Sequence, residues 1–250
     1  MRRAQNILRP VVTLLGLLAL WWAVARFGGI PAFLLPGPVS VARELAAQWG
    51  FLFQNTLVTL TEIVLGLAFG TTFGAMLALA MVFSRGLQRW ILPLLLLSQA
   101  VPVFALAPLL VLWLGFGLAS KVLMAVLVIF FPVTAAFYDG LRRTEPGWLD
   151  LARTMGASNL SMLLHVRLMA ALPAFGAGLR IAAAVAPIGA ILGEWAGASE
   201  GLGYIMLNAN ARMQTDLMFA ALVLLAAMTI LLWVAVDVLL KKLLHWAPDT

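Results

Sequence analysis

Tyr138–Arg167 reads YDGLRRTEPGWLDLARTMGASNLSMLLHVR, a polar island between two long apolar runs. It carries Arg142, Arg143, Arg153 and Arg167, four of the sixteen Lys and Arg residues of the chain. Around it the sequence is far greasier than a soluble domain: 64% of the 250 residues are hydrophobic and only 10% are charged. Mean hydropathy is +1.04, whereas soluble domains are about half apolar. The fold class is therefore an all-α integral membrane protein. A spanning helix needs about 20 mostly apolar residues, which predicts six spans near 10–27, 55–83, 90–115, 121–138, 172–195 and 216–240. No room is left for a separate soluble domain. The reading is one transmembrane domain over 1–250 with a protruding loop at 139–167.

The absence of Cys excludes disulfides and thiolate-held zinc or iron–sulfur clusters, and His165 and His245 lie outside the apolar runs. No metal or cofactor is expected on this chain. The net charge of +6 reports loop orientation rather than nucleic-acid binding in a chain of this class. Arg2, Arg3, Arg9, Arg85, Arg89, Arg142, Arg143, Arg153, Arg167, Lys241 and Lys242 fall on one side of the six spans. Arg26, Arg43, Lys121 and Arg212 fall on the other, with Arg180 unassigned. Eleven against four places both termini and the island in the cytoplasm by the positive-inside rule. Ala23-Val24-Ala25 matches a signal-peptidase site after an apolar run; the first span is nevertheless read as retained, and cleavage would leave the island inside.

Within the island, Pro146 suits the first turn of a helix, and Trp148, Leu149, Leu151, Ala152 and Met155 alternate with Asp150 and Arg153 as in a short amphipathic helix. Gly156 is placed to end it in the left-handed conformation. Ser158 or Asn159 caps a second short helix, Leu160–Val166. Elsewhere, Gly66, Gly70 and Gly74, and again Gly189, Gly193 and Gly197, repeat at four-residue spacing, which lets helices approach closely in lipid. Pro93, Pro102 and Pro108 predict that the third span is bent or broken. Glu62, Asp139, Arg180, Glu194 and Asp237 are charges in or near spans. Such charges face a partner, a cavity or the interface. For Asp139 and Asp237, near the cytoplasmic ends of spans, snorkelling or pairing with nearby Arg142 or Lys241 is a sufficient account. Glu62 reads as structural, and Glu194 reads equally as a structural pair or as part of an outer gate.

The island resembles the cytoplasmic "EAA" loop of bacterial ABC importer permeases: Glu-Ala-Ala, three residues, Gly, nine residues, Ile, one residue, Leu-Pro. Asp150-Leu151-Ala152, Gly156, Val166 and Leu168 stand at those spacings. Asp150, Leu151 and Met169 depart from the pattern, the last standing where proline is expected. The likeness continues through Leu35-Pro36-Gly37-Pro38, Ala107-Pro108-Leu109 with Gly115-Phe116-Gly117, Phe130-Phe131-Pro132, Gly178-Leu179-Arg180-Ile181, and Gly193-Glu194 followed by Gly201-Leu202-Gly203-Tyr204. Together these resemble permeases for nitrate, sulfonates, taurine and thiamine-precursor pyrimidines.

The resemblance implies a type I ABC importer permease fold, a bacterial inner-membrane location and a homodimer with the path on its axis. Two separate partners are implied: a cytoplasmic ABC ATPase and an extracytoplasmic substrate-binding protein. The chain lacks a GxxxxGK[ST] phosphate loop, so it is not the ATPase, and ATP and Mg belong to the partner. Leu149, Asp150, Leu151, Ala152, Arg153, Met155, Gly156, Ala157 and Ser158 are the implied ATPase-coupling residues. Glu194, Tyr204 and Asn208 are candidates for the path or outer gate. The favoured solute is a hydroxymethylpyrimidine-type thiamine precursor, with taurine, sulfonate or nitrate as alternatives. An ion-coupled secondary transporter or channel is the competing class, although no internal repeat or carboxylate pair marks one.

Overall fold

The computed structural model describes residues 2–247, with side chains described at residue 9 and from residue 12 onward; the side chains of Arg2 and Arg3, used in the charge count, lie outside the described set. The described secondary structure is helical throughout. Helix α1 (Arg2–Phe27) leads through a turn-rich segment to α2 (Pro38–Ala47), where Pro38 occupies the first turn. A single non-helical residue, Gln48, separates α2 from α3 (Trp49–Phe83). Helices α4 (Arg85–Ala100) and α5 (Val103–Leu114) follow, then α6 (Leu118–Arg142) and the short α7 (Pro146–Thr154). Helix α8 (Asn159–Ser161), a π-helix (Met162–Arg167) and α9 (Leu168–Gly197) run on from one another, and α10 (Leu202–Ala211) and α11 (Thr215–Leu243) complete the described chain.

Four unbroken helices are long and apolar enough to cross a bilayer: α3, α6, Asn159–Gly197 and α11. The expected third span is instead two helices meeting at 100°. Its break falls at Val101-Pro102. Proline disfavours the helical conformation in the residue before it, and Val101 is extended with φ −82° and ψ 121°. Pro93 and Pro108 are absorbed inside α4 and α5. The first expected span, 10–27, lies within α1 (Arg2–Phe27). It is tied to the bundle by Trp21, whose ring donates to the Pro36 carbonyl at 3.0 Å and stacks on Phe219.

Helix α6 is the central element, packed between α3 and α9. The glycine repeats explain how three helices approach so closely. Ala125 of α6 faces Gly66 of α3 and Gly189 of α9; a Cβ at Gly189 would lie 2.6 Å from Ala125 Cα, and one at Gly66 would collide with the Ala125 methyl. Gly70 meets Ile129, and Gly193 meets Lys121. Small residues that admit a neighbouring backbone are the packing device of membrane helices.

Two charge assignments change and a third is extended. Lys121, read as an outward loop charge, is buried and pairs with Glu62 at 2.9 Å, so it leaves the orientation count. Asp139 pairs with Arg143 at 3.1 Å, one residue beyond the expected partner, while Arg142 lies over the Tyr138 ring. Asp237 does meet Lys241, at 2.7 Å, and also Arg180, at 2.7 Å, joining α9 to α11.

The candidate coupling knob and a polar lock at α10

Helix α7 begins at Pro146 as expected and ends in a complete Schellman motif. Gly156 has φ +79°; its N–H donates to the Arg153 carbonyl at 2.9 Å, and the Ala157 N–H reaches the Ala152 carbonyl at 3.0 Å. Those two bonds satisfy carbonyls that a helix end otherwise leaves open. Ser158 then starts the next helix, its Oγ accepting from the Ser161 N–H at 3.2 Å. That helix does not stop at Val166. It passes through the π-helix into α9, making one uninterrupted rod of Asn159–Gly197. The physical reason is local: Met169 stands where a proline would favour a break, and the first proline, Pro173, lies inside α9.

The rod and α7 divide the apolar residues of the island into two sets. Leu149, Ala152 and Ala157 are half-buried, and α7 packs on the π-helix. Trp148, Leu151 and Met155 are 53%, 62% and 79% exposed, at the i, i+3, i+7 spacing of a single helix face. The expected docking set of Leu149, Leu151, Ala152 and Met155 is thus split, and Trp148 joins Leu151 and Met155 on the outward face. Asp150 and Arg153 pair at 2.7 Å on the exposed flank.

The opposite end of the bundle holds a polar cluster that sequence reasoning caught only in part. Asn55, Thr59 and Glu62 lie at i, i+4, i+7 on α3 and are buried. They meet Lys121 of α6, Glu194 of α9 and the start of α10. Four consecutive backbone N–H groups of that start are all satisfied by side chains: Gly201 by Asn55 Oδ1 at 2.7 Å, Leu202 by Thr59 Oγ1 at 2.8 Å, and Gly203 and Tyr204 by Glu194 Oε2 at 2.5 and 3.1 Å. Thr59 Oγ1 also donates to Glu194 Oε1 at 2.6 Å. Glu62 lies beside Glu194, a buried carboxylate pair that the sequence did not reveal because its members are on different helices, and Lys121 supplies a counter-charge. A carboxylate at a helix N-terminus is favoured by both the open N–H groups and the helix dipole. Gly201 and Gly203 make the approach feasible, because a Cβ at either position would run into the Glu194 carboxylate.

Glu194 is 1% exposed; its Oε2 holds the start of α10 and its Oε1 accepts from Thr59 of α3, the arrangement expected of the structural reading. Tyr204 and Asn208 do reach a more open place. With Gln48, Arg212 and Gln214 they line a polar basin of about 350 Å³ beside α10, and Asn208 Nδ2 donates to the Tyr204 carbonyl at 2.9 Å. Of the missed members, Asn55 and Thr59 had one legible sign, the polar i, i+4, i+7 stripe they form with Glu62 on the apolar α3, whereas Lys121 on α6 had none.

Comparison with known proteins agrees with this architecture. The family model described as "Binding-protein-dependent transport system inner membrane component" matches residues 70–245. A probable ABC transporter permease protein of Haemophilus influenzae is 54% identical over 95% of this chain and 97% of its own length. The formylaminopyrimidine transport permease protein ThiX of Halalkalibacterium halodurans is 38% identical over 98% of each chain, and the taurine transport system permease protein TauC of Escherichia coli is 32% identical over 97% of this chain and 91% of its own. In fold, the chain is similar to a structure of the inward-facing MetNI methionine ABC transporter, with TM-score 0.68, 19% identity, and coverage of 78% of this chain and 97% of that one. The membrane-spanning helical plan and the matched family model have one reading: this chain belongs to the inner-membrane permease family of binding-protein-dependent ABC transporters.

Proposed function

We propose that the chain carries a small substituted pyrimidine of the thiamine-precursor kind inward, receiving it from an extracytoplasmic binding protein and driven by a separate cytoplasmic ABC ATPase. The observation that carries the ATPase-driven part of this reading is the apolar face of α7, Trp148, Leu151 and Met155, exposed among the described residues, on a helix packed against the rod of Asn159–Gly197. Closure of an ATPase dimer against that face would move the rod as a unit, since α7 packs on its π-helical segment and the rod runs on unbroken to Gly197. ATP and Mg belong to that partner. Two ATPase sites and one coupling knob per chain call for a homodimer.

Both termini and the knob lie in the cytoplasm in this reading. Without Lys121, and without Arg2 and Arg3, the remaining positive charges still divide nine to three, in the direction the positive-inside rule requires. The basin lined by Tyr204, Asn208, Gln48, Gln214 and Arg212 then faces the outside, where amide and phenol groups suit a neutral heteroaromatic solute. The likeness to ThiX supports a pyrimidine. A sulfonate is the second reading, favoured by the guanidinium of Arg212 in that basin and by the likeness to TauC.

The test is to recover the binding protein that associates with the chain and measure its solutes. Selective binding of a pyrimidine supports the first reading, and of taurine or an alkanesulfonate the second. Solute uptake by the purified chain alone in liposomes under an ion gradient, without ATPase, would overturn the ABC mechanism itself.

A further inference from the structure

At the other end of the molecule a cavity of about 380 Å³ is walled by Arg85, Arg153 and Arg167, with Asn159 at its side and Val82, Phe83, Met162 and Leu163 as its apolar lining. Three elements converge there: the α3–α4 turn, α7 and the π-helix. No carboxylate lines it. Arg153 has Asp150 as a partner on the exposed flank, whereas Arg85 and Arg167 make no ion pair among the described residues.

We infer that this cavity binds the phosphodiester headgroup of an anionic membrane lipid. Position selects lipid over a free ion. Phe83 is the last residue of the spanning helix α3 and is 73% exposed, so the cavity sits at the level where a span leaves the hydrocarbon. Its apolar wall continues directly from its cationic wall, as an acyl chain and its headgroup require. Guanidinium groups match phosphate oxygens by paired N–H donors, and basic pockets at the cytoplasmic ends of spans are suited to anionic headgroups. Because the walls belong to both the α3–α4 turn and α7, a bound lipid bridges a span end to the knob. The lipid is therefore a candidate structural ligand of the coupling region, whichever solute the protein carries.

The test uses the full purified chain, delipidated in detergent and titrated by native mass spectrometry with phosphatidylglycerol, with phosphatidylcholine and with inorganic phosphate. Phosphatidylglycerol is expected to bind in preference to phosphatidylcholine, without displacement by millimolar phosphate. The R85Q/R167Q variant is expected to weaken it about ten-fold or more, while the charge-matched R89Q/R143Q variant, altered at arginines outside the cavity, keeps wild-type affinity. An R85K/R167K variant retains charge without the planar fork and is expected to fall between. Equal loss in both Gln variants would reduce the effect to general surface charge and overturn the site. Displacement by free phosphate would overturn the lipid as ligand, and indifference to headgroup would overturn the proposal altogether.

Discussion

The two ends of this molecule invert the usual placement of side chains. At the end proposed to face outward, Asn55, Thr59, Glu62, Lys121 and Glu194 are buried on α3, α6 and α9 and bound to the start of α10. At the knob, Trp148, Leu151 and Met155 stand exposed with no protein surface against them, while Asp150 and Arg153 share a solvent-facing pair. Burying polar groups is costly unless each finds a partner, and the outer cluster supplies one for each N–H at the start of α10. Exposing a helix face of large apolar groups is characteristic of a surface meant to be covered. The first arrangement holds the fold together; the second makes sense only in an assembly. Substitutions at the two ends should therefore separate stability from coupling.

The largest effect is expected at Glu62. Glu62→Leu leaves Lys121 buried without its counter-charge, and removing one member of a buried pair costs about 3–5 kcal/mol. Thermal unfolding in detergent should show a large loss, much of which the E62L/K121L double variant restores. A double variant no better than the single would show that the pair is not a closed unit. Next is Glu194→Ala, which orphans the Gly203 and Tyr204 N–H groups and one partner of Thr59. At about 1–3 kcal/mol for each group left unsatisfied, the expected loss is of the same order as that of Glu62→Leu. Glu194→Gln keeps an acceptor and should recover part of it, which hydrogen exchange at the start of α10 would report. Unchanged exchange in E194A would remove the capping role.

Gly156→Val comes third. It forces a β-branched residue to φ +79°, at a cost of about 1–2 kcal/mol. The side chain itself meets open space, with no atom within 4 Å of an added Cβ, so the damage is to backbone geometry alone. The variant should insert and retain the outer cluster, yet lose ATP-driven uptake. Normal uptake would detach the Schellman turn from coupling.

The same contrast explains what could be read from the sequence. Spans follow from hydropathy, the break at Val101-Pro102 from the steric rule before proline, and the end of α7 from a glycine placed where a left-handed residue is needed. Each depends on neighbours in sequence. The outer cluster does not: Lys121 at the edge of an apolar run looks like a loop charge until Glu62 is brought beside it, and α10 starts in a glycine-rich segment because distant Asn55, Thr59 and Glu194 cap it. The continuation of the second short helix into α9 was missed for the opposite reason. A stop was expected after Val166, but Leu168 and Met169 provide no local signal for one.

The smallest effect on stability and the sharpest on assembly is expected from L151D/M155D. Both side chains are mostly exposed, and exposed substitutions away from caps and networks usually change stability by about 0.5 kcal/mol or less. The melting temperature should therefore stay close to wild type, in contrast to E62L. In an assembly, however, these positions sit with Trp148 on one helix face, and two carboxylates placed there would have to be desolvated without partners. Co-purified ATPase should fall to background. Leu149→Asp gives the complementary case: its side chain is half-buried against the body of the permease, so it should lower stability more than either exposed site alone. Undiminished ATPase recovery with L151D/M155D would mean that the outward face of α7 is covered by something other than the ATPase, and the knob would then have to be reassigned while the outer cluster stood unchanged.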